Sequence, residues 1–435
     1  MKPRLLAPAL ERQLAPRLRP YKLQAATLLL ASLLLSKPLY AAIDEATLQG
    51  LIAQVAALTE KVNRLEAADQ QLREENISLR QAMPQVSTPP AANGAKRAWT
   101  ERLSVKGDLR YRYENIDDAS KAQDRNRNRL RARIEVQAKI NDAWKVGLGL
   151  ASGSEDPVSS NQSLGGAGSS KEINLDLAYF DWSGLDNTHI IGGKFKNPFY
   201  KPGKHNLIWD GDYRPEGLAL KYDNGSLFAN AAYLYLESDD KAGAQDEESI
   251  WGLQLGFNNA LSASTQLLIG LSYYNLPIAG STTFYGDPDD AFGNTLIMKK
   301  GELVYQNNYE ELELFAELTF RLGQLPASLF IDWVENQDAD SNETGWATGF
   351  KLGAAKNPGS WQFGYIYQDL EADAVFGLTT DSDFAGGGTN GKGHLLKAAY
   401  ALDKNAVLAI NYFINEKGDQ EHDFDRLQMD LKLKY

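Results

Sequence analysis

The stretch Arg125–Ile140 reads RNRNRLRARIEVQAKI, and its charges fall on alternate positions. From Arg129 onward the odd positions are Arg129, Arg131, Arg133, Glu135, Gln137 and Lys139. The even positions are Leu130, Ala132, Ile134, Val136, Ala138 and Ile140. A period of two is that of a β-strand with one charged and one apolar face; a helix would spread the charges around its circumference. Leu103–Tyr113 alternates in the same way and puts Lys106, Asp108, Arg110 and Arg112 on its polar face. Arginines laddered on neighbouring strands, in a low-dielectric enclosure, attract anions or form one side of a transverse field. The alternative is a wall whose charges pair with inward carboxylates such as Glu135.

A second constellation lies in Asn197–Arg214, NPFYKPGKHNLIWDGDYR, which carries Lys201, Lys204, His205, Asp210, Asp212 and Arg214. Phe199, Tyr200 and Trp209 give it more apolar character than a solvated loop needs. A loop folded into a lumen and packed on the wall accounts for that composition and would constrict a pore. An ordered surface loop or an intersubunit contact is the alternative.

Catalytic and metal chemistry find little material. There is no cysteine, which removes thiol catalysis and Cys-based metal sites. The histidines are His189, His205, His394 and His422. Strand parity puts His189 and His394 on apolar faces and leaves the other two in connections. None accompanies a recognisable nucleophile pattern, so no enzyme activity and no cofactor are expected. Asp338–Asn342 imitates the start of a calcium loop but lacks Gly at the sixth place and Glu at the twelfth. The acidic run Glu237–Glu248 is expected to be solvated, or bridged by divalent cations to lipopolysaccharide phosphates. A net charge of −12 argues against a nucleic-acid partner.

The elements that must position these residues follow from patterning along the 435 residues. Residues 1–42 read as an export signal, with a basic lead and the apolar core Leu23–Leu35. Within 43–83, Leu51, Leu58, Leu65, Leu72 and Leu79 repeat every seventh residue, with Leu48, Val55, Val62, Asp69 and Asn76 at the other core position. That is a coiled coil with two polar layers, placed in the periplasm. Residues 84–101, with Pro84, Pro89 and Pro90, read as a tether.

From 102 to 435 alternating segments recur, with short connections such as Asn141–Asp142, Asn224–Gly225 and Asn258–Ser262. Long Gly-, Asp- and Asn-rich connections take the other ends, Gly153–Ser170, Asn197–Arg214, Pro277–Tyr309 and Glu371–Gly391 among them. Tight turns at one end and long loops at the other are the layout of an antiparallel transmembrane β-barrel. Parity predicts about 16 strands, within a range of about 16 to 18 because Gly301–Gln306 is either loop or an extra strand, and a barrel of that size leaves a water-filled lumen. The last strand alternates Leu427, Met429, Leu431, Leu433 and Tyr435 with polar residues, in the manner of an outer-membrane assembly signal.

The segment GKFKNPFYKPGKHNLIWDGDYRPEGLAL (Gly193–Leu220), the arginine-rich second strand and the coiled coil before the barrel together resemble a family of bacterial outer-membrane porins. The resemblance covers Arg102–Tyr435, and the coiled-coil head is that of a subset of the family. It implies a homotrimer in outer-membrane lipid and lipopolysaccharide, with the third long loop folded into the channel. The expected function is passive diffusion of small hydrophilic solutes or ions. Lys106, Arg110, Arg112, Arg129, Arg131, Arg133 and Lys139 are the expected pore lining, and Lys201, Lys204, Asp210, Asp212 and Arg214 the constriction loop. The rival reading is a structural barrel that tethers the envelope through its stalk, which would contact peptidoglycan.

Overall fold

The computed structural model describes residues 99–238 and 248–435, with isolated helical positions at 60, 61, 64, 67 and 71. These five positions all belong to the outward faces of the predicted heptads, and Arg64 donates to Glu60 one turn earlier at 2.6 Å. The export signal, the coiled-coil core positions and most of the tether lie outside the described residues. Met1–Ala95 and Lys96–Tyr435 are separate compact units.

A single turn of 3₁₀ helix, Trp99–Arg102, leads into the first strand. Sixteen strands then form one closed antiparallel barrel. The first eight are β1 (Leu103–Asp118), β2 (Arg125–Lys139), β3 (Trp144–Ser152), β4 (Ile173–Leu185), β5 (Thr188–Lys194), β6 (Glu216–Asp223), β7 (Leu227–Glu237) and β8 (Glu248–Ser262). The remainder are β9 (Thr265–Leu276), β10 (Tyr309–Leu322), β11 (Leu325–Asn336), β12 (Thr344–Gly353), β13 (Trp361–Leu370), β14 (Gly391–Asp403), β15 (Ala406–Lys417) and β16 (His422–Lys434). Closure comes from β1 pairing with β16 on one edge and β2 on the other. Tyr435 completes it by exchanging backbone hydrogen bonds with Gly107 at 3.0 and 3.1 Å, its ring lying where a Cβ at 107 would sit. A closed barrel leaves no unpaired edge, which is what a sheet spanning hydrocarbon requires.

The outward positions are apolar and exposed, among them Val105, Leu148, Leu175, Leu253, Ile269, Leu314 and Ile331. Trp144, Phe257, Trp361, Phe363 and Tyr400 ring the short-turn end, and Tyr233, Tyr235, Trp251 and Trp346 the long-loop end. Two aromatic girdles around an aliphatic band match the profile of a bilayer, whereas an apolar surface of this extent would aggregate in water.

Several boundaries differ from the patterning. Asn258–Ser262 continues β8, and the turn is Ala263–Ser264, because Asn258 and Asn259 pair with Leu268 and Leu267. Gly301–Gln306 adds no barrel strand: Leu296–Lys299 and Glu302–Tyr305 form a separate hairpin within the fifth loop. The first and last long connections shrink to 119–124 and 418–421, since β1, β15 and β16 run further than their alternation suggests.

A charged ladder facing two inward-folded loops

On the inner face of β16, β1 and β2 the side chains form rows across the three strands. Successive rows are Lys432–Arg110–Arg131, Asp430–Arg112–Arg129 and Gln428–Glu114–Arg127. Strand alternation puts them all on one side, so the sequence ladder becomes a two-dimensional grid. Lys106 and Lys139 are exposed nearer the short-turn end, opposite Glu135 and Lys145.

Carboxylates from four places interleave with the grid. Arg112 donates from Nε and Nη2 to both oxygens of Asp430, at 2.7 and 3.0 Å, and from Nη1 to Asp383 at 3.1 Å. This bidentate fork is buried, where charge-assisted bonds are strongest. Arg131 and Arg133 share Asp108 on β1 and Asp212 from the loop 195–215, at 2.8–3.2 Å. Glu114 takes Arg127 on one side and Arg426 at 2.9 Å on the other. Glu135 is occupied elsewhere, with Lys196 at 2.6 Å and Tyr179 at 2.9 Å. Pairing is thus extensive, but mostly with partners other than Glu135.

The third long loop, 195–215, folds inside the barrel as its aromatics require. Trp209 stacks between Phe199 and Tyr213, each centroid 5.7 Å away, and Tyr274 of β9 meets Phe199 and Trp209 edge-on at 4.8 and 5.2 Å. Tyr200 stacks on Phe315 and donates to Glu317 of β10 at 2.6 Å. Gly203, at φ +60°, presses against the Phe330 ring of β11 and donates its N–H to the same Glu317 at 2.9 Å. A Cβ there would overlap the ring, and the left-handed backbone favours glycine as well.

Among the predicted constriction residues, Asp212 is the one that pairs with the ladder arginines. Burial alone would raise its carboxyl, but Arg131, Arg133 and Arg214 hold it well below the usual carboxylate range. Arg214 lies 3.4 Å from Asp176 of β4. Lys201 spends its ammonium inside the loop on Asn206 and the Trp209 carbonyl, at 2.8 and 3.2 Å. Lys204 is exposed, with φ +56°. Asp210 is buried, its carboxyl raised by burial and by the neighbouring Asp381 and Asp212. It accepts from the backbone N–H groups of Asp212 and Ser382 at 2.6 and 3.1 Å.

Ser382 belongs to a long connection, Glu371–Gly391, whose inward fold patterning did not predict. The seventh loop, 371–390, also folds inward and is buried over most of its length. It zips to the third: Asp210 N–H donates to the Thr379 carbonyl at 2.6 Å, and the Thr380 hydroxyl to the Leu207 carbonyl at 2.7 Å. Phe376 and Phe384 lie in the same buried cluster as Trp209 and Phe199. Its Asp383 bridges Arg112 and Arg426, both at 3.1 Å, and those two arginines hold the carboxyl well below its ordinary range despite burial. The available signal was Val375-Phe376-Gly377-Leu378, as apolar for a loop as the third. One further difference concerns His189, which faces inward and holds Asp181 at 2.8 Å, with Lys145 on the carboxylate's other oxygen. His394 lies on the outer face, bonded to Tyr365 at 2.8 Å.

At the long-loop end the ladder opens into a cavity of about 640 Å³, whose wall includes Lys121, Arg125, Arg127, Arg129, Lys417 and Arg426. Residues 117–283 and 288–435 match the family described as "Putative porin". The chain belongs to that porin family. The barrel of this porin is similar to OprB of Pseudomonas putida, with a TM-score of 0.54 at 11% identity, over 77% of this chain and 95% of that one. OmpF of Salmonella typhi (TM-score 0.48, 11% identity, 77% and 97% covered) and the porin of Rh. blastica (0.46, 10%, 77% and 100%) also match. At such identities the likeness is one of fold. Comparison with curated proteins finds no match. Family and barrel together assign this porin to the bacterial outer membrane as a channel.

Proposed function

We propose that the protein passes small hydrophilic solutes by diffusion through a lumen narrowed between the arginine ladder and the paired third and seventh loops. The observation that carries this is the asymmetry of the inner wall, with cations on β16, β1 and β2 facing loops docked on apolar residues opposite. On this reading Lys106, Arg110, Arg112, Arg129, Arg131, Arg133 and Lys139 line the path. Asp212 is the point where the constriction loop meets it, with Lys201, Lys204, Asp210 and Arg214 shaping that loop. The excess of arginine over carboxylate in the grid favours anions.

The protein is further proposed to work as a homotrimer in lipid and lipopolysaccharide. Its 1–42 segment would direct export and its 43–83 coiled coil would form a periplasmic stalk. The leucine register of that stalk is what supports it. Reconstitution into planar bilayers tests the channel reading: stepwise ohmic conductance is expected, and a folded, heat-modifiable barrel that conducts nothing would overturn it.

A further inference from the structure

Most of the grid's buried guanidinium groups have a carboxylate at close range, but Arg110 has none among the described residues. It sits in the row Lys432–Arg110–Arg131, three cations across three adjacent strands. Arg131 takes Asp108 and Asp212, and Lys432 takes Asp430 at 3.3 Å. Arg110 is 8% exposed, and among the described residues its Nε meets no acceptor and its one side-chain hydrogen bond runs from Nη2 to the Asn161 Oδ1 at 2.5 Å. Arg129 is also under-partnered: its Nε is bare, its Nη2 lies 3.5 Å from Ser159 Oγ, and Glu114 is 3.9 Å away.

The second loop joins the two arginines. Gln162–Ser163 adds onto β2 opposite Leu130 and Arg129, which fixes the preceding residues beside the ladder. Asn161 Nδ2 donates to Ser159 Oγ at 3.2 Å, so Arg110, Asn161, Ser159 and Arg129 form one hydrogen-bonded chain. Asp430, Asp212 and Asp383 act on Arg110 only at longer range, so its desolvated Nε–H lacks a contacting acceptor, and an oxyanion at that spot would supply one. We infer that Arg110 and Arg129, bridged by Asn161 and Ser159, form a binding site for a small oxyanion of carboxylate or phosphate type. Carboxylate and phosphate share the acceptor geometry that a guanidinium edge fits. The inference deepens the channel reading and rests on it for its role in passage, but binding itself can be measured on the folded barrel.

Purified full-length protein in detergent, shown to be folded by heat-modifiable migration, would be titrated calorimetrically with inorganic phosphate and separately with acetate. Saturable binding of either is expected, and the stronger ligand identifies the preferred oxyanion. The double variant Arg110→Gln/Arg129→Gln should weaken that binding at least about tenfold. The variant Asn161→Asp keeps both arginines but supplies the missing carboxylate from within, and should compete the ligand out to a similar extent. Absence of binding, or equal binding by wild type and both variants, would overturn the site. Bilayer conductance of the same wild-type preparation separates the two claims: a conducting barrel without oxyanion binding refutes the site alone. A barrel that binds but does not conduct refutes the channel reading alone.

Discussion

The two halves of the inner wall solve the same problem in opposite ways. Across β16, β1 and β2 the inward residues are charged, and order comes from directional pairs such as Arg112 with Asp430 and Asp383. Across β8–β14 many inward residues are apolar or aromatic, including Ile250, Tyr274, Phe330, Val334, Ile366 and Leu395, and order comes from area buried beneath the two loops. In the charged half the pairing offsets burial, since Arg112 and Arg426 are only 2% and 3% exposed. In the other half the third and seventh loops cover the apolar residues, and Glu311, Glu313 and Asp332 are buried there too.

The largest effect should come from the apolar half. Trp209→Ala removes the ring stacked between Phe199 and Tyr213, and loss of a buried aromatic costs about 3–5 kcal/mol. The barrel should still form, but loop docking should fail, giving larger unitary conductance and protease cleavage within 195–215. Unchanged conductance and resistance would mean the apolar half does not hold the loops.

Asp212→Asn tests the contact between halves. It removes one of the two carboxylates shared by Arg131 and Arg133 while keeping shape, so anion preference should rise several-fold with little change in unitary conductance. Measured permeability ratios decide it; a shift toward cations would contradict the assignment.

Acidity offers a smaller lever. His205 is buried, 2.5 Å from Gln368 Oε1, and burial, with Lys397 adding to it, pushes its pKa down to about 3. In an undocked loop the imidazole would titrate near its ordinary value of about 6.5. The undocked state then binds the extra proton, so docking is best supported above about 6.5 and weakens as pH falls from there toward about 3. Protease susceptibility of the loop should rise between pH 7 and pH 4 in the wild type and change less in His205→Gln. Identical pH profiles would remove His205 from the account.

The smallest effect belongs to the rim. Lys392, on the outer face, pairs with Glu416 and Glu421 at 3.3 and 2.5 Å, but the pairs are solvated. Lys392→Ala should leave heat modifiability and selectivity as in the wild type, and a measurable change in either would show the rim coupled to the lumen.

Much of this was legible in residue order. The period-two pattern gave the strands, turn chemistry gave parity, and Arg129, Arg131 and Arg133 declared the charged face. The third loop announced itself through Phe199, Tyr200 and Trp209 in a segment that should have been polar. What was not legible is long-range. Arg112 and Asp430 lie 318 positions apart and meet only because the barrel closes. Asp383 enters from a loop whose Gly, Asp and Thr content masks Val375, Phe376 and Leu378. His189 was misassigned because Ile190 and Ile191 are both apolar, so alternation along β5 leaves the face undecided, and it is Ile191, on the face of His189, that packs on the inner cluster.

The central claim is that solute passes along the arginine ladder, and the reversal potential in a salt gradient across a planar bilayer addresses it most directly. The wild type should prefer anions, and Arg131→Glu with Arg133→Glu should move the reversal potential toward cation selectivity. A reversal potential unchanged by that double substitution would contradict the account, because those side chains would then not line the path.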